Sequence, residues 1–128
     1  MIKKSITTDY APKALGPYSQ AIIYGNMIYC SGQLGLDPRT GEFISKNDIK
    51  LQTNQVIKNI QNILESQGSK LDNIIKTSIF LSDINNFTLV NQVYEEFFKS
   101  PYPARSTVEV SCLPLNALVE IEAIASLT

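Results

Sequence analysis

The sequence contains no histidine and no tryptophan, and its only thiols belong to Cys30 and Cys112. The missing histidine excludes Ser-His and Cys-His nucleophiles, histidine general bases and nearly every transition-metal site. We therefore expect neither a metal nor a cofactor. Two cysteines do not make a disulfide framework, so we expect a reduced, cytoplasmic protein. Any chemistry must use arginine, carboxylates, hydroxyl groups, lysine, thiols, backbone groups and water.

Long apolar runs and a strong net charge are also missing. No run approaches the ~20 apolar residues of a membrane span, and the N-terminal segment lacks the apolar core of a signal peptide. The net charge of −1 creates no field that would attract nucleic acid or an anionic membrane. Hydrophobic content of 44% and charge of 18% are ordinary for a folded chain. We predict one domain over residues 1–128, with no nucleic-acid or membrane partner.

The first recognisable element is a β-hairpin over residues 18–33. Two β-rich runs flank Gly25-Asn26, a pair that tolerates the positive φ angles of tight hairpin turns. If these two residues form the loop, the side chains alternate between an apolar face and a polar face. The apolar face, around Ala21 and Cys30, is predicted to lie in the core. The polar face is predicted to carry Tyr18, Gln20, Ser31 and Gln33.

The remaining elements follow from periodicity and turn signals. Apolar residues recur at helical spacing from Asp48 to Gln67 and again from Asn86 to Phe98. The last two strands are predicted to form a hairpin around the turn "LPLN". Besides the first hairpin, the predicted strands are 2–7, 73–81, 106–112 and 118–125. The resulting order βββαβαββ predicts an α+β fold, in which a mixed six-stranded sheet carries two helices on one face.

The other face of that sheet is predicted to be neither core nor plain solvent surface. Charged and hydroxyl side chains alternate with apolar ones along it. A mixed face of this kind suits an oligomer interface that contains a wet site. Its predicted residues are Tyr18, Gln20, Ile22, Tyr29, Ser31, Thr107, Glu109, Leu118, Glu120, Glu122 and Ile124.

Arg105 stands in "PARSTVEV", directly after a Pro-Ala corner at the mouth of a predicted strand. A guanidinium fork binds a planar carboxylate bidentately, and lysine does not reproduce that geometry. The partner of Arg105 is either a ligand carboxylate or a structural one, namely that of Glu109, Glu120 or Glu122. In the predicted last hairpin, Glu109 lies opposite Glu120, where like charges raise one pKa or require a nearby cation.

Four motifs run in order along almost the whole chain: "GPYSQAI" (16–22), "SGQLGLDPRTGE" (31–42), "PARSTVEV" (103–110) and "VEIEAIA" (119–125). Together they resemble the RidA family, the reactive intermediate (imine) deaminases. The resemblance implies a chorismate-mutase-like fold, a homotrimer, and clefts between the subunits. It also implies hydrolysis of enamines and imines, such as 2-aminoacrylate and 2-aminocrotonate, to 2-oxo acids and ammonia.

The same resemblance implies roles for individual residues. Arg105 would bind the substrate carboxylate, and Glu120 would handle water or a proton. Residue 107 would contribute main-chain contacts. Many relatives have cysteine there and this chain has Thr107, so a mechanism that needs a thiol is ruled out. Further predicted cleft residues are Tyr18, Ser31, Gly32 and Phe87.

Two other functions are weighed against imine hydrolysis. One is a non-catalytic module that holds small carboxylates or regulates a partner enzyme. The other is an endoribonuclease, which the missing histidine and the lack of a basic stripe disfavour.

The predicted register of the last hairpin also bears on assembly. A four-residue loop would set Arg105 opposite Ile124, about 13 Å along the strands from Glu120 and on the same face. That distance is too long for one substrate of three or four carbons. We therefore expect Arg105 of one subunit to work with Glu120 of its neighbour.

Overall fold

A computed structural model describes every residue from 1 to 128 and contains six β-strands and two α-helices. The strands are β1 (Lys4–Ile6), β2 (Ala21–Tyr24), β3 (Met27–Gln33), β4 (Ile74–Leu81), β5 (Ala104–Glu109) and β6 (Val119–Ser126). The helices are α1 (Ile49–Glu65) and α2 (Phe87–Phe97). The predicted order βββαβαββ is confirmed. No helix is long and apolar enough to cross a membrane.

The strands form one mixed sheet in the order β1-β2-β3-β6-β4-β5. Neighbouring strands are antiparallel, except that β4 and β5 run parallel because α2 connects them as a crossover. Both helices pack on one face of the sheet, and their apolar stripes form a single core with alternate residues of the strands. The predicted α+β architecture is confirmed. We call the uncovered side the open face.

The ends of α1 follow directly from its sequence. The Asp48 carboxylate accepts hydrogen bonds from the backbone N–H groups of Lys50 and Leu51, which a helix end otherwise leaves unpaired. Just beyond the last turn, Gly68 adopts a φ of 78°, a left-handed conformation that glycine reaches without strain. Between these ends the apolar stripe is buried, and each large side chain contributes roughly 1.5–3 kcal/mol. The stripe consists of Ile49, Val56, Ile57, Ile60, Ile63 and Leu64.

The hairpin of β2 and β3 has the predicted turn and register as far as Cys30. Tyr24 pairs with Met27 and Ala21 pairs with Cys30, and Gly25 has a φ of 62°. The turn chemistry therefore determines which side chains of the hairpin reach the core.

A β-bulge beyond this point corrects the prediction for Gln33. Cys30 pairs with Ala123, but Gln33 pairs with Ile121, so β3 gains one residue on β6 between the two pairs. The extra residue turns Gln33 from the predicted polar face to the core face, where it is buried.

Gln20 is also buried, but for a different reason. Its side-chain oxygen accepts from the Thr8 N–H, and its amide nitrogen donates to the carbonyls of Thr8 and Pro12. The side chain is therefore buried under the N-terminal segment, which it ties to the start of β2.

β5 and β6 do not form the predicted hairpin, because β4 lies between them. The intervening segment, 110–118, is too long for a tight turn and passes from one side of β4 to the other. Glu109 pairs with Leu81 on β4, and Glu120 pairs with Phe80 from the opposite side. The two glutamates are therefore not cross-strand neighbours.

Parallel pairing also reverses the predicted orientation of β5. Arg105 pairs with Thr77, which is buried under α2, so Arg105 lies on the helix-covered side of the sheet. Thr107 and Glu109 follow at intervals of two and share that side, whereas we predicted them on the opposite face. Glu120 alternates with buried residues of β6 and lies on the open face. The prediction that Arg105 and Glu120 share one face is wrong.

Candidate active site

Arg105 is held by aromatic rings rather than by a carboxylate. Its guanidinium carbon lies 4.9 Å from the centroid of the Tyr94 ring and 5.5 Å from that of Phe87. The guanidinium takes part in no hydrogen bond, and the only ion pair of the chain joins Arg39 and Asp37. A cation over a ring is attracted to it without spending its N–H donors. The donor fork of Arg105 therefore remains free for a planar anion.

The structural carboxylates considered from the sequence are all engaged or out of reach. Glu109 accepts a hydrogen bond from the backbone N–H of Ile84. Glu120 and Glu122 lie on the open face, across the sheet from the guanidinium. None of these three carboxylates forms an ion pair with Arg105.

The guanidinium borders a cleft of about 290 Å³, which we call the arginine cleft. The Tyr94 hydroxyl lies 2.9 Å from Thr77 Oγ1, which fixes the ring beneath Arg105. Burial raises the pKa of Tyr94, while the Thr77 hydrogen bond and the charge of Arg105 act in the opposite direction. The cleft is lined by Asn91, Tyr94, Glu95, Tyr102, Pro103 and Arg105.

Phe87 was predicted from the sequence to line a cleft, and the structure places it under Arg105, half exposed. Tyr94 is buried in the core, and its second role, as the ring that supports the Arg105 guanidinium, was not predicted. The two aromatic residues are seven positions apart on α2 and therefore lie on the same side of the helix. This seven-residue spacing is the sequence signal that could have placed Tyr94 beside Phe87.

Thr107 lies two residues beyond Arg105 on the same side of β5. Its hydroxyl oxygen is buried and has no hydrogen-bond partner in the chain. A buried hydroxyl without a partner costs roughly 1–3 kcal/mol. The position therefore has an unused donor and acceptor next to the free guanidinium.

Glu120 is half-buried, and its carboxylate occupies the space above Gly32. A Cβ atom at residue 32 would lie 2.8 Å from Cδ and 3.0 Å from Cγ of Glu120, so only glycine leaves room for the side chain in this position. Burial raises the pKa of Glu120, and the neighbouring charge of Glu122 raises it further. A carboxylate with a raised pKa is a stronger base than an ordinary glutamate and suits proton exchange with water.

Glu120 opens into a second cleft of about 330 Å³, which we call the glutamate cleft. Tyr18 stands on its rim, 52% exposed, and its hydroxyl oxygen accepts from the backbone N–H of Leu15 at 3.2 Å. Ser31 is not among the residues that line this cleft, and its hydroxyl donates to the Ser19 carbonyl at 2.6 Å. The cleft is bordered by Leu15, Tyr18, Gly32, Leu36, Leu115 and Glu120, among others.

The predicted site residues thus fall into two groups on opposite faces of the sheet. Arg105, Phe87 and Thr107 belong to the arginine side, and Glu120 belongs with Tyr18 and Gly32 to the glutamate side. Arg105 is level with Thr77 and Ala123 across the sheet. Glu120 is therefore two strands away and three residues further along, roughly 14 Å in total. Arg105 lines the arginine cleft and Glu120 lines the glutamate cleft, and neither cleft contains both residues.

Comparison with known proteins places this architecture in context. Residues 8–127 match the family model described as endoribonuclease L-PSP. A RutC family protein of Pyrococcus abyssi is 51% identical over 98% of each chain. The human 2-iminobutanoate/2-iminopropanoate deaminase is 42% identical over 98% of this chain and 90% of its own length. The crystal structure of RidA from an Antarctic Psychrobacter superposes with a TM-score of 0.92 at 43% identity, covering 96% of this chain and 98% of the other.

Proposed function

Because the chain belongs to the endoribonuclease L-PSP family, the family of the RidA proteins, we propose that it is an imine deaminase. It hydrolyses 2-iminopropanoate and 2-iminobutanoate, formed from the enamines 2-aminoacrylate and 2-aminocrotonate, to 2-oxo acids and ammonia. The observation that carries the proposal is the free guanidinium of Arg105 above Tyr94 and Phe87. A small carboxylate that enters the arginine cleft meets two parallel N–H donors.

The functional site is composite and requires a second copy of the chain. β5 is an edge strand, so Arg105 lies at the border of its sheet, where the open face of a neighbouring subunit can reach it. The open face exposes apolar groups among its polar ones, including Tyr29 and Val108. We assign the interface to this face and the assembly to a cyclic homotrimer, in which Arg105 of one subunit meets Glu120 of the next.

The chemistry follows from these two groups. Arg105 holds the carboxylate and orients the adjacent C=N carbon. Glu120 takes a proton from water as the oxygen attacks the carbon of the protonated imine (C=NH₂⁺), and the resulting neutral carbinolamine carries both OH and NH₂. Glu120 returns this proton to the nitrogen, the C–N bond breaks as ammonia leaves, and the hydroxyl group gives up its proton to become the C=O group. Imine and water are thereby converted to 2-oxo acid and ammonia.

A coupled assay tests the activity. A dehydratase generates 2-aminoacrylate or 2-aminocrotonate in situ, and 2-oxo acid formation is followed with and without this protein. We expect a faster appearance of the 2-oxo acid with the protein. A module that only binds carboxylates would bind the 2-oxo acid but leave the rate of its formation at the spontaneous value. That result would contradict the proposed deaminase activity.

The assembly has its own measurement, sedimentation at micromolar concentration. We expect a trimer. A monomer with normal activity would exclude the composite site.

The description of the family model favours RNA cleavage as the second candidate function. The net charge of −1 and the absence of histidine weigh against it. Specific RNA binding would require an affinity that falls steeply with salt, and a filter-binding titration at two salt concentrations would detect this.

A further inference from the structure

The loop between β5 and β6 contains two consecutive residues in the left-handed conformation. Leu115 and Asn116 both have a φ of 57°. Asparagine tolerates this region because its short side chain bonds locally, but for leucine the conformation is unfavourable. Strain of this kind persists where the surrounding structure imposes it, and it is concentrated at functional sites.

The residues around Leu115 hold its backbone in the left-handed conformation. Leu113 and Ala117 are buried on either side of the turn and anchor both of its ends. The backbone N–H groups of Asn116 and Ala117 donate to the carbonyls of Leu113 and Pro114, which closes the turn. The conformation lifts the Leu115 side chain out of the protein, where it is 58% exposed. Burial in its own chain therefore does not explain the leucine.

The side chain of Leu115 lies at the junction of two clefts. It borders the glutamate cleft, and it also borders an adjoining cleft of about 540 Å³ next to Phe43 and Lys46. Leu36 is common to both clefts. Leu15, another exposed leucine, also borders the glutamate cleft. Leu15 and Leu115 therefore add two exposed apolar side chains to the cleft that also contains Glu120.

We infer that Leu115 determines the substrate specificity of the deaminase by receiving the side chain of the imino acid. The inference rests on the proposed function. In the composite site, the reacting carbon lies at Glu120 and the carboxylate points to Arg105 of the neighbouring subunit. The third substituent of that carbon then extends into the glutamate cleft, toward Leu115 and Leu15. At about 30 Å³ for a water-sized group, the 330 Å³ of the cleft hold far more than a methyl or ethyl group. The favoured substrates are therefore 2-imino acids with longer, branched apolar side chains.

The test compares two imines in wild type and in variants of the loop. An L-amino-acid oxidase generates the imino acids of leucine and alanine in situ, and formation of each 2-oxo acid is measured above the spontaneous rate. Leu115→Gly removes the side chain and suits the positive φ, so the fold is expected to be retained. Leu115→Asn provides a second variant that tolerates this backbone. Asn116→Gly is the matched control, because it relaxes the neighbouring residue and keeps the leucine.

We expect wild type to favour the leucine-derived imine, and Leu115→Gly and Leu115→Asn to lower the ratio of the two kcat/KM values by about tenfold. Asn116→Gly should keep the wild-type ratio. If the Leu115 variants turn over both imines with an unchanged ratio of the two kcat/KM values, only the role of Leu115 is wrong. The same conclusion follows if Asn116→Gly lowers that ratio as much as the Leu115 variants do. If wild type turns over neither imine, the proposed deaminase activity is wrong, and the role of Leu115 is wrong with it.

Discussion

Replacing Arg105 by lysine tests the central assignment of the site. The change keeps the positive charge above Tyr94 and Phe87 but replaces two parallel N–H donors by one ammonium group. A hydrogen bond between charged groups contributes about 1.5–3 kcal/mol. Loss of one of the two contacts to the substrate carboxylate should therefore lower kcat/KM by about 10- to 100-fold.

The fold should tolerate this substitution. Arg105 makes no hydrogen bond and no ion pair within the chain, and lysine can retain the attraction to the aromatic rings. We expect the free energy of unfolding to change by less than about 1 kcal/mol. Arg39→Lys is the matched control, since Arg39 is the only other arginine and pairs with Asp37 in an exposed turn.

The assay is the initial rate of imine hydrolysis at substrate concentrations well below KM, with thermal unfolding measured on the same samples. Arg39→Lys should have the wild-type rate. If Arg105→Lys also had the wild-type rate, the guanidinium would not hold the substrate, and the assignment of the arginine cleft would be wrong. A large loss of thermal stability in Arg105→Lys would instead assign the residue to the fold.

Three further predictions concern residues around the two clefts. If only the main chain of residue 107 contacts the ligand, Thr107→Cys and Thr107→Ala should stay active. Thr107→Val should raise the Tm, because it removes the buried hydroxyl that has no hydrogen-bond partner. A loss of activity above about tenfold in folded Thr107→Ala would show that the hydroxyl takes part in the reaction. Gly32→Ala should leave the fold intact but displace the Glu120 carboxylate and lower kcat; a wild-type kcat would contradict that placement. Glu120→Gln should lose turnover and raise the Tm near pH 7 but not near pH 4. The raised pKa means that the folded chain holds the proton more tightly, so stability is lost as the pH rises through that pKa, and glutamine avoids the loss. An equal Tm difference at both pH values would contradict the stated cause.

The elements that depend on local signals were predictable from the sequence. The Gly25-Asn26 turn determined the first hairpin, and the apolar spacing with Asp48 and Gly68 determined α1. In each case the residues that specify the element lie within a few positions of each other. Local sequence signals were therefore sufficient to predict these two elements.

The position of β6 was not predictable by the same means, because it depends on non-local pairing. Chain neighbours favour a hairpin of β5 and β6, but β6 inserts between β3 and β4. One physical signal does distinguish the two strands. β6 has one fully apolar face, which suits a central strand, whereas β5 carries polar residues on both sides and suits an edge.

The faces of the sheet on which Arg105 and Glu120 lie were not predictable from the sequence. The identities of Arg105 and Glu120 came with the family resemblance, but the faces on which they lie depend on the neighbours of β5. A shift from an antiparallel partner to a parallel one moved Arg105 to the helix side. The bulge between Cys30 and Gln33 likewise has no unique local signal.

The separation of Arg105 and Glu120 survives this correction and leads to the most direct test of the composite site. The register that first suggested two chains is wrong, yet the two side chains still leave opposite faces of one sheet, roughly 14 Å apart. Arg105→Ala and Glu120→Ala chains, each inactive alone, are mixed in equal amounts after unfolding and are refolded together. A site that takes Arg105 from one subunit and Glu120 from the next finds both wild-type residues at roughly a quarter of the interfaces of random cyclic trimers. About that fraction of the wild-type rate should return, whereas each variant refolded alone should remain inactive. A site built within one chain would recover no activity in the mixture, because every chain lacks one of the two residues.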